Sequence, residues 1–321
     1  MQMSRSTQAA FRNYALAALI VFCTAGIALT CSPAGAQSPV QSGTQQADEK
    51  VPPVQITEQP GGKSFATPGA AAAAVYAAAS RNDEKDLLNI LGPGAKELIM
   101  WTDDAEVRKQ HHEEFVHRYD QMHRLVREPD NTVALYVGSD NWPAPIPLVQ
   151  YKGAWYFDAA LGQQEVMYRR IGQNEMEALQ VCNALLDAEK DYFANAQQYT
   201  TKFVSTAGSH DGLYWAGADG SKSPIGPYLA HAGIDASGGT ESDKPYHGYY
   251  YRILSLQGAP QNKTGAFAIV AFPADYRMSG VMTFIVDQSG DAHEKDLGDS
   301  TDRAARGISS FNSDSSWKKV E

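Results

Sequence analysis

Cysteine is nearly absent from this chain of 321 residues: there are three, and Cys23 and Cys31 fall in an N-terminal segment that reads as an export signal. Cys182 is then left alone, so no internal disulfide can staple the fold, whatever the redox state of its surroundings. Basic runs are lacking too. The chain has 27 Lys and Arg against 37 Asp and Glu, and removing Arg5 and Arg12 with the signal takes the net charge from -10 to -12. Nucleic-acid binding draws on clustered cations that release phosphate counterions, so this composition argues against it. The lack of a Gly-rich phosphate loop argues against a nucleotide partner, and no cofactor is expected. The main apolar run, Leu16 to Leu29, is shorter than the roughly 20 residues a bilayer span requires, and Thr24 and Gly26 dilute it.

What the N-terminus does contain is the pattern of a signal peptide. Arg5 and Arg12 precede a charge-free apolar run from Tyr14 to about Thr30, and Ala34-Gly35-Ala36 supplies small residues for cleavage before Gln37. Residues 1–36 are therefore expected to be removed, leaving a periplasmic or secreted bacterial-type protein with no stable membrane anchor. A lipoprotein would carry its acyl chain on Cys31, but Ala28-Leu29-Thr30 is a poor lipobox; an uncleaved anchor is the other alternative. Residues 37–62, rich in Gln, Pro, Ser and Gly, read as a disordered tether.

The remaining 260 or so residues suffice for one or two domains. Thr67-Pro68 pairs an N-cap with proline at the first helical position, ahead of a helix over Ala70 to Ser80. Asp83 caps a second helix bearing Leu87, Leu88 and Leu91, which Gly92-Pro93 ends. Phe115, Tyr119, Met122 and Val126 recur at helical spacing and predict a helix over Glu106 to Leu125. Val133, Leu135 and Val137 alternate as in a strand, while Ile146 to Tyr151 and Ala154 to Phe157 flank Lys152-Gly153 as a hairpin. Helices followed by an antiparallel sheet resemble the NTF2-like cone over residues 63–170.

Residues 171–321 form the second expected lobe. It opens with a long amphipathic helix, Ile171 to Asn195, in which Cys182 shares a stripe with Met176, Leu179, Leu186 and Phe193, so a buried structural thiol is the expectation. A turn-rich stretch from Gln198 to Tyr246 leads to strands at Tyr249 to Leu256, Gly265 to Phe272 and Val281 to Val286. A fourth is expected from Asp291 to Lys295 after the Ser289-Gly290 turn. The fold class is thus α+β in two lobes, the second similar to the globular head of type IV pilins and pseudopilins.

Several segments together carry a family resemblance. They are Asp140-Asn141-Trp142-Pro143, Asp211-Gly212-Leu213-Tyr214-Trp215, and Pro245-Tyr246-His247-Gly248-Tyr249-Tyr250-Tyr251-Arg252-Ile253. Ala271-Phe272-Pro273-Ala274-Asp275-Tyr276 and Ser279-Gly280-Val281-Met282-Thr283-Phe284-Ile285-Val286 extend the set. This chain resembles the bacterial exported domain-of-unknown-function family numbered 2950 from about Gly62 to the C-terminus. That family implies export and supplies no activity and no catalytic residues.

The candidate chemistry is sparse. His111, His112, Glu113, Glu114, His117 and His123 invite a zinc reading, but His112 and His117 are five apart, so their imidazoles diverge by roughly 500° of helical rotation. A solvated charged face is expected there, with Glu113 and His117 at pairing distance and no metal. Asp287, Ser289 and Asp291 lack the Gly and terminal Glu of a calcium loop and read as a hairpin. His210, Asp211 and His231, in the 198–246 stretch, are the catalytic candidates of an envelope hydrolase, although no nucleophile elbow surrounds Ser209. Tyr214, Trp215, Tyr228, Tyr246 and His247 are the binding candidates, since aromatic rings with polar tips suit protein or sugar surfaces. Tyr249 and Tyr251, at period two, share one strand face. The leading expectation is a non-catalytic accessory or binding protein of the envelope, with an envelope protein or a glycan as partner.

Overall fold

A computed structural model describes residues 58–215, 222–234, 244–256, 267–311 and 314–320. The expected signal and most of the tether lie outside the described residues, as do two stretches of the 198–246 region. The fold is α+β, and the chain divides into two compact units between Val166 and Met167. Among the described residues no helix is long and apolar enough to cross a membrane.

The first unit opens with α1 (Pro68–Ser80), where the Thr67 hydroxyl accepts from Ala70 N. It continues through α2 (Glu84–Leu91), capped by Asp83 on Asp86 N. Gly92 ends α2 at φ +90, where its backbone lies against Gly61 and Gly62 and leaves no room for a side chain. A short helix, α3 (Lys96–Ile99), leads to α4 (Ala105–Gln121). The five strands are β1 (His123–Arg127), β2 (Val133–Val137), β3 (Trp142–Pro143), β4 (Leu148–Tyr151) and β5 (Ala154–Phe157). They form one antiparallel sheet in the order β1-β2-β4-β5, with β3 paired to β2. Lys152 and Gly153 both have positive φ, the backbone a tight two-residue hairpin demands.

Two helices differ from expectation in their boundaries. The helix predicted over Glu106 to Leu125 stops at Gln121, and residues from His123 form β1 against β2, with Leu125 opposite Leu135. Met122 and Val126 sit at helical spacing, but the ladder to β2 satisfies the backbone of this segment, and Asp130 caps the connecting turn through Thr132 N. Long-range pairing overrides local periodicity here.

The predicted helix over Ile171 to Asn195 is longer than expected: α5 runs from Ala159 to Ala196. Asp158 caps it by accepting from Ala160 N and Leu161 N. The unit boundary falls within this helix. In the second unit, α5 presents Ala178, Cys182, Leu185, Ala188 and Tyr192 to a core shared with Tyr249, Tyr251, Ile269, Phe284 and Val286. Burial pushes the Cys182 thiol far above its usual range, so it packs as a small hydrophobe.

The second sheet contains β6 (Tyr249–Leu256), β7 (Phe267–Pro273), β8 (Met282–Asp287), β9 (Ala292–Asp296), β10 (Ser310–Phe311) and β11 (Lys318–Lys319), in the order β10-β6-β7-β8-β9-β11. All pairings are antiparallel except β10 with β6. Every residue of β7 is buried, because both of its faces are covered. Phe267, Ile269 and Ala271 face the α5 core, while Ala268 and Val270 pack with Ile308 and Trp317. Phe272 meets Ile234 and Ala305, the latter from α7 (Thr301–Gly307). A further short helix, α6 (Pro227–Ala232), lies in the turn-rich stretch. There Gly233 passes so close to the Phe203 ring that a methyl group would sit 1.9 Å from it.

Candidate functional site

The first unit is hollow. Helices α1 to α4 and the sheet line a half-open cavity of about 250 Å³. An engineered apolar cavity of about 150 Å³ already admits benzene, so this space suits a molecule of one to two rings. The hollow follows from local sequence. Helix α1 is alanine-rich, and Ala79 of α1 and Ala144 beside β3 supply only methyl groups to the lining. Larger apolar side chains, Leu87, Ile99, Phe115, Ile146 and Phe157 among them, stand around that space. Between them these side chains leave the cavity unfilled.

Polar groups enter the lining from α4 alone: Arg108, His111 and His112. Arg108 donates from Nε to Glu84 Oε1 at 2.7 Å and from Nη1 to Thr102 O at 2.6 Å. His112 joins Asn82 Oδ1 through Nδ1, and burial lowers its pKa, so the ring is neutral at pH 7. Trp101, 56 % exposed, stands at the lining with its ring edge-on to His111. The expected solvated face of α4 is thus only part of the picture. Glu113 reaches Lys109 and His117 reaches Gln121, whereas His112 turns to the cavity. Positions 108, 112, 115 and 119 share one helical face, and that spacing was the available signal. The expected pairing of Glu113 with His117 is replaced by these contacts. Among the described residues, no three His, Cys, Asp or Glu side chains gather in a metal-holding group.

The residues singled out in the second unit have varied surroundings. Asp211 accepts from Thr206 N at 2.7 Å, Thr206 Oγ1 at 2.9 Å and Ser209 Oγ at 2.7 Å, and it pairs with Lys202. Lys202 first, then Ser209 and Thr206, hold its carboxyl far below the usual carboxylate range. The carboxylate therefore ties a turn together, and Ser209 is one of its donors. His210 stacks on Trp215 with ring centroids 4.3 Å apart, and its carbonyl accepts from Tyr192. His231 is exposed at the end of α6.

Tyr249 and Tyr251 are fully buried in the core, as period two implies, and Tyr250 packs on the opposite face with Phe272. Tyr214 and Tyr246 are partly buried against the same core as Tyr249. Tyr228 is 79 % exposed. His247, at φ +51 in a turn, pairs with Glu177 of α5. Asp287 accepts from Ser289 N, Ser289 Oγ and Asp291 N, which accounts for that acidic turn as a hairpin cap.

A profile of the family described as protein of unknown function, DUF2950, matches residues 62–320. The chain belongs to that family. No curated protein and no solved structure matches it.

Proposed function

We propose that this is a non-catalytic binding protein that acts after export, and that its first unit holds a small apolar ligand. The observation that carries the reading is the cavity of about 250 Å³, apolar on every wall but one. Apolar side chains that line a half-open cavity forgo dispersion contacts that an apolar ligand would supply. The helices-on-sheet arrangement of this unit is in keeping with an NTF2-like cone, and the sheet and long helix of the second with a pilin-like head. In this reading the second unit is the scaffold that meets an envelope partner, with Tyr228 and the Trp215 region as its contact surface. A hydrolase built on His210, Asp211 and His231 would require Asp211 to give up the donors that define its turn.

Naphthalene tests the cavity. Saturating naphthalene is expected to raise the unfolding temperature of the wild-type protein and to leave that of Ala79→Leu unchanged, because the leucine occupies the space. An equal rise in both, or none in either, would remove the cavity from the account. Export is checked separately by fractionating the source cells and sequencing the N-terminus of the mature chain. A start at Gln37 outside the cytoplasm is expected; an uncleaved cytoplasmic chain contradicts it.

A further inference from the structure

Apart from His111, which is exposed and stands edge-on to Trp101, the polar wall of the cavity has Arg108 as donor and His112 as acceptor, one helical turn apart. Arg108 is nearly covered, with 11 % of its side chain exposed, and its Nε and Nη1 are engaged by Glu84 and Thr102. Its Nη2 remains as the unused arm of the guanidinium fork. The Asn82 oxygen makes Nδ1 the protonated nitrogen of His112, so Nε2 carries a lone pair.

The charge around this pair selects among ligands. The Arg108 guanidinium is ion-paired with Glu84 at 2.7 Å, the more exposed Asp103 and Asp104 add to the negative field on it, and His112 is neutral. A ligand carboxylate would lose its hydration and find the one cation already paired with Glu84. An ammonium would likewise lose its hydration, with Glu84 already paired and the Arg108 charge beside it. Trp101, Phe115, Trp142 and Phe157 supply ring faces and edges to the remaining walls.

Resting on the binding reading above, we propose that the ligand is a neutral phenol of one to two rings. Its oxygen accepts from Arg108 Nη2 and its hydroxyl donates to His112 Nε2. A phenol supplies both halves of that exchange from one atom, with no charge to desolvate.

Calorimetric titration with four compounds of one ring system tests this: 2-naphthol, 2-methoxynaphthalene, naphthalene and 2-naphthoate. 2-Naphthol is expected to bind at least about tenfold tighter than the other three, the worth of one to two buried hydrogen bonds. Arg108→Lys, which keeps a charge for Glu84, and His112→Phe should each narrow the gap between 2-naphthol and naphthalene measured on the same variant. A cooperative urea melt of each variant checks that it is folded. If 2-naphthol binds no tighter than naphthalene, or 2-naphthoate binds tightest, the phenol proposal falls and the apolar-ligand reading survives. Equal binding of 2-naphthol and 2-methoxynaphthalene removes His112 as acceptor and overturns the proposal as stated. Binding of none of the four overturns both.

Discussion

The two units bury polar groups for opposite ends. Among the described residues of the second, the buried Arg252 and Glu189 and the half-buried Glu175 all hydrogen-bond to backbone. Arg252 Nη1 reaches the carbonyl oxygens of Ala305, Arg306 and Ile308 at the end of α7, at 2.8, 2.6 and 3.1 Å. Glu175 accepts from Val281 N and Met282 N where β8 begins, and Glu189 from Thr200 N where the turn-rich stretch leaves α5. These contacts secure chain segments that have little regular structure of their own. In the first unit Arg108 and His112 also have partners, yet they border a half-open, largely apolar cavity. A covered polar group on a filled core is a structural device, while one on a hollow has capacity left for a ligand. That difference is why the functional reading rests on the first unit.

The largest effect that would sharpen the contrast is at Glu189. It is fully buried, its Oε1 lacks a partner, and burial pushes its pKa up to about 8. In the unfolded chain a glutamate ionises near pH ~4.3. The native state therefore holds a proton that the unfolded state has released, and stability declines as pH rises from about 4.5 to about 8, then levels off. Glu189→Gln, neutral throughout, should match the wild type near pH 4 and exceed it above pH 8 by on the order of 4 kcal/mol. Urea unfolding across that range checks it. An equal difference at both ends would contradict a desolvated carboxyl.

Arg252→Met comes next. Three carbonyl groups at the end of α7 lose their buried donor, and a cost of about 3 kcal/mol is expected in urea melts. A cost under about 0.5 kcal/mol would mean that water replaces the guanidinium, and the contrast between the units would weaken. Ala79→Leu in the first unit should behave in the opposite way: stability held or slightly raised, with naphthalene binding weakened at least about tenfold, or about 1.4 kcal/mol. Marked destabilisation would show that the space is not available to a side chain. The smallest effect is Thr67→Ala, where loss of the cap on Ala70 N should cost about 1 kcal/mol.

Local chemistry made much of this fold legible. Thr67-Pro68, Asp83, Gly92 and Lys152-Gly153 each act where their stereochemistry places them, and the alternation of Val133, Leu135 and Val137 reads directly as a half-buried strand. Two boundaries were less visible. Helix α5 starts at Ala159 because Asp158 caps it, a signal present in Asp158-Ala-Ala-Leu but overshadowed by the stronger apolar stripe after Ile171. Strand β1 depends on β2, a partner that periodicity within His123 to Arg127 does not announce. The cavity was the least legible feature, since a hollow is a property of several elements meeting. Its one trace was Arg108, His112 and Phe115 on a single face of α4, among charged neighbours that point elsewhere.

The most direct test of the account is a two-dimensional proton–nitrogen spectrum of the indole groups during titration with naphthalene. The chain has five tryptophans; Trp101 and Trp142 line the cavity, whereas Trp215 and Trp317 belong to the second unit. Binding in the hollow predicts saturable shifts at Trp101 and Trp142, with Trp215 and Trp317 unmoved. Shifts confined to Trp215 or Trp317, or no shifts at all, would contradict a ligand site in the first unit.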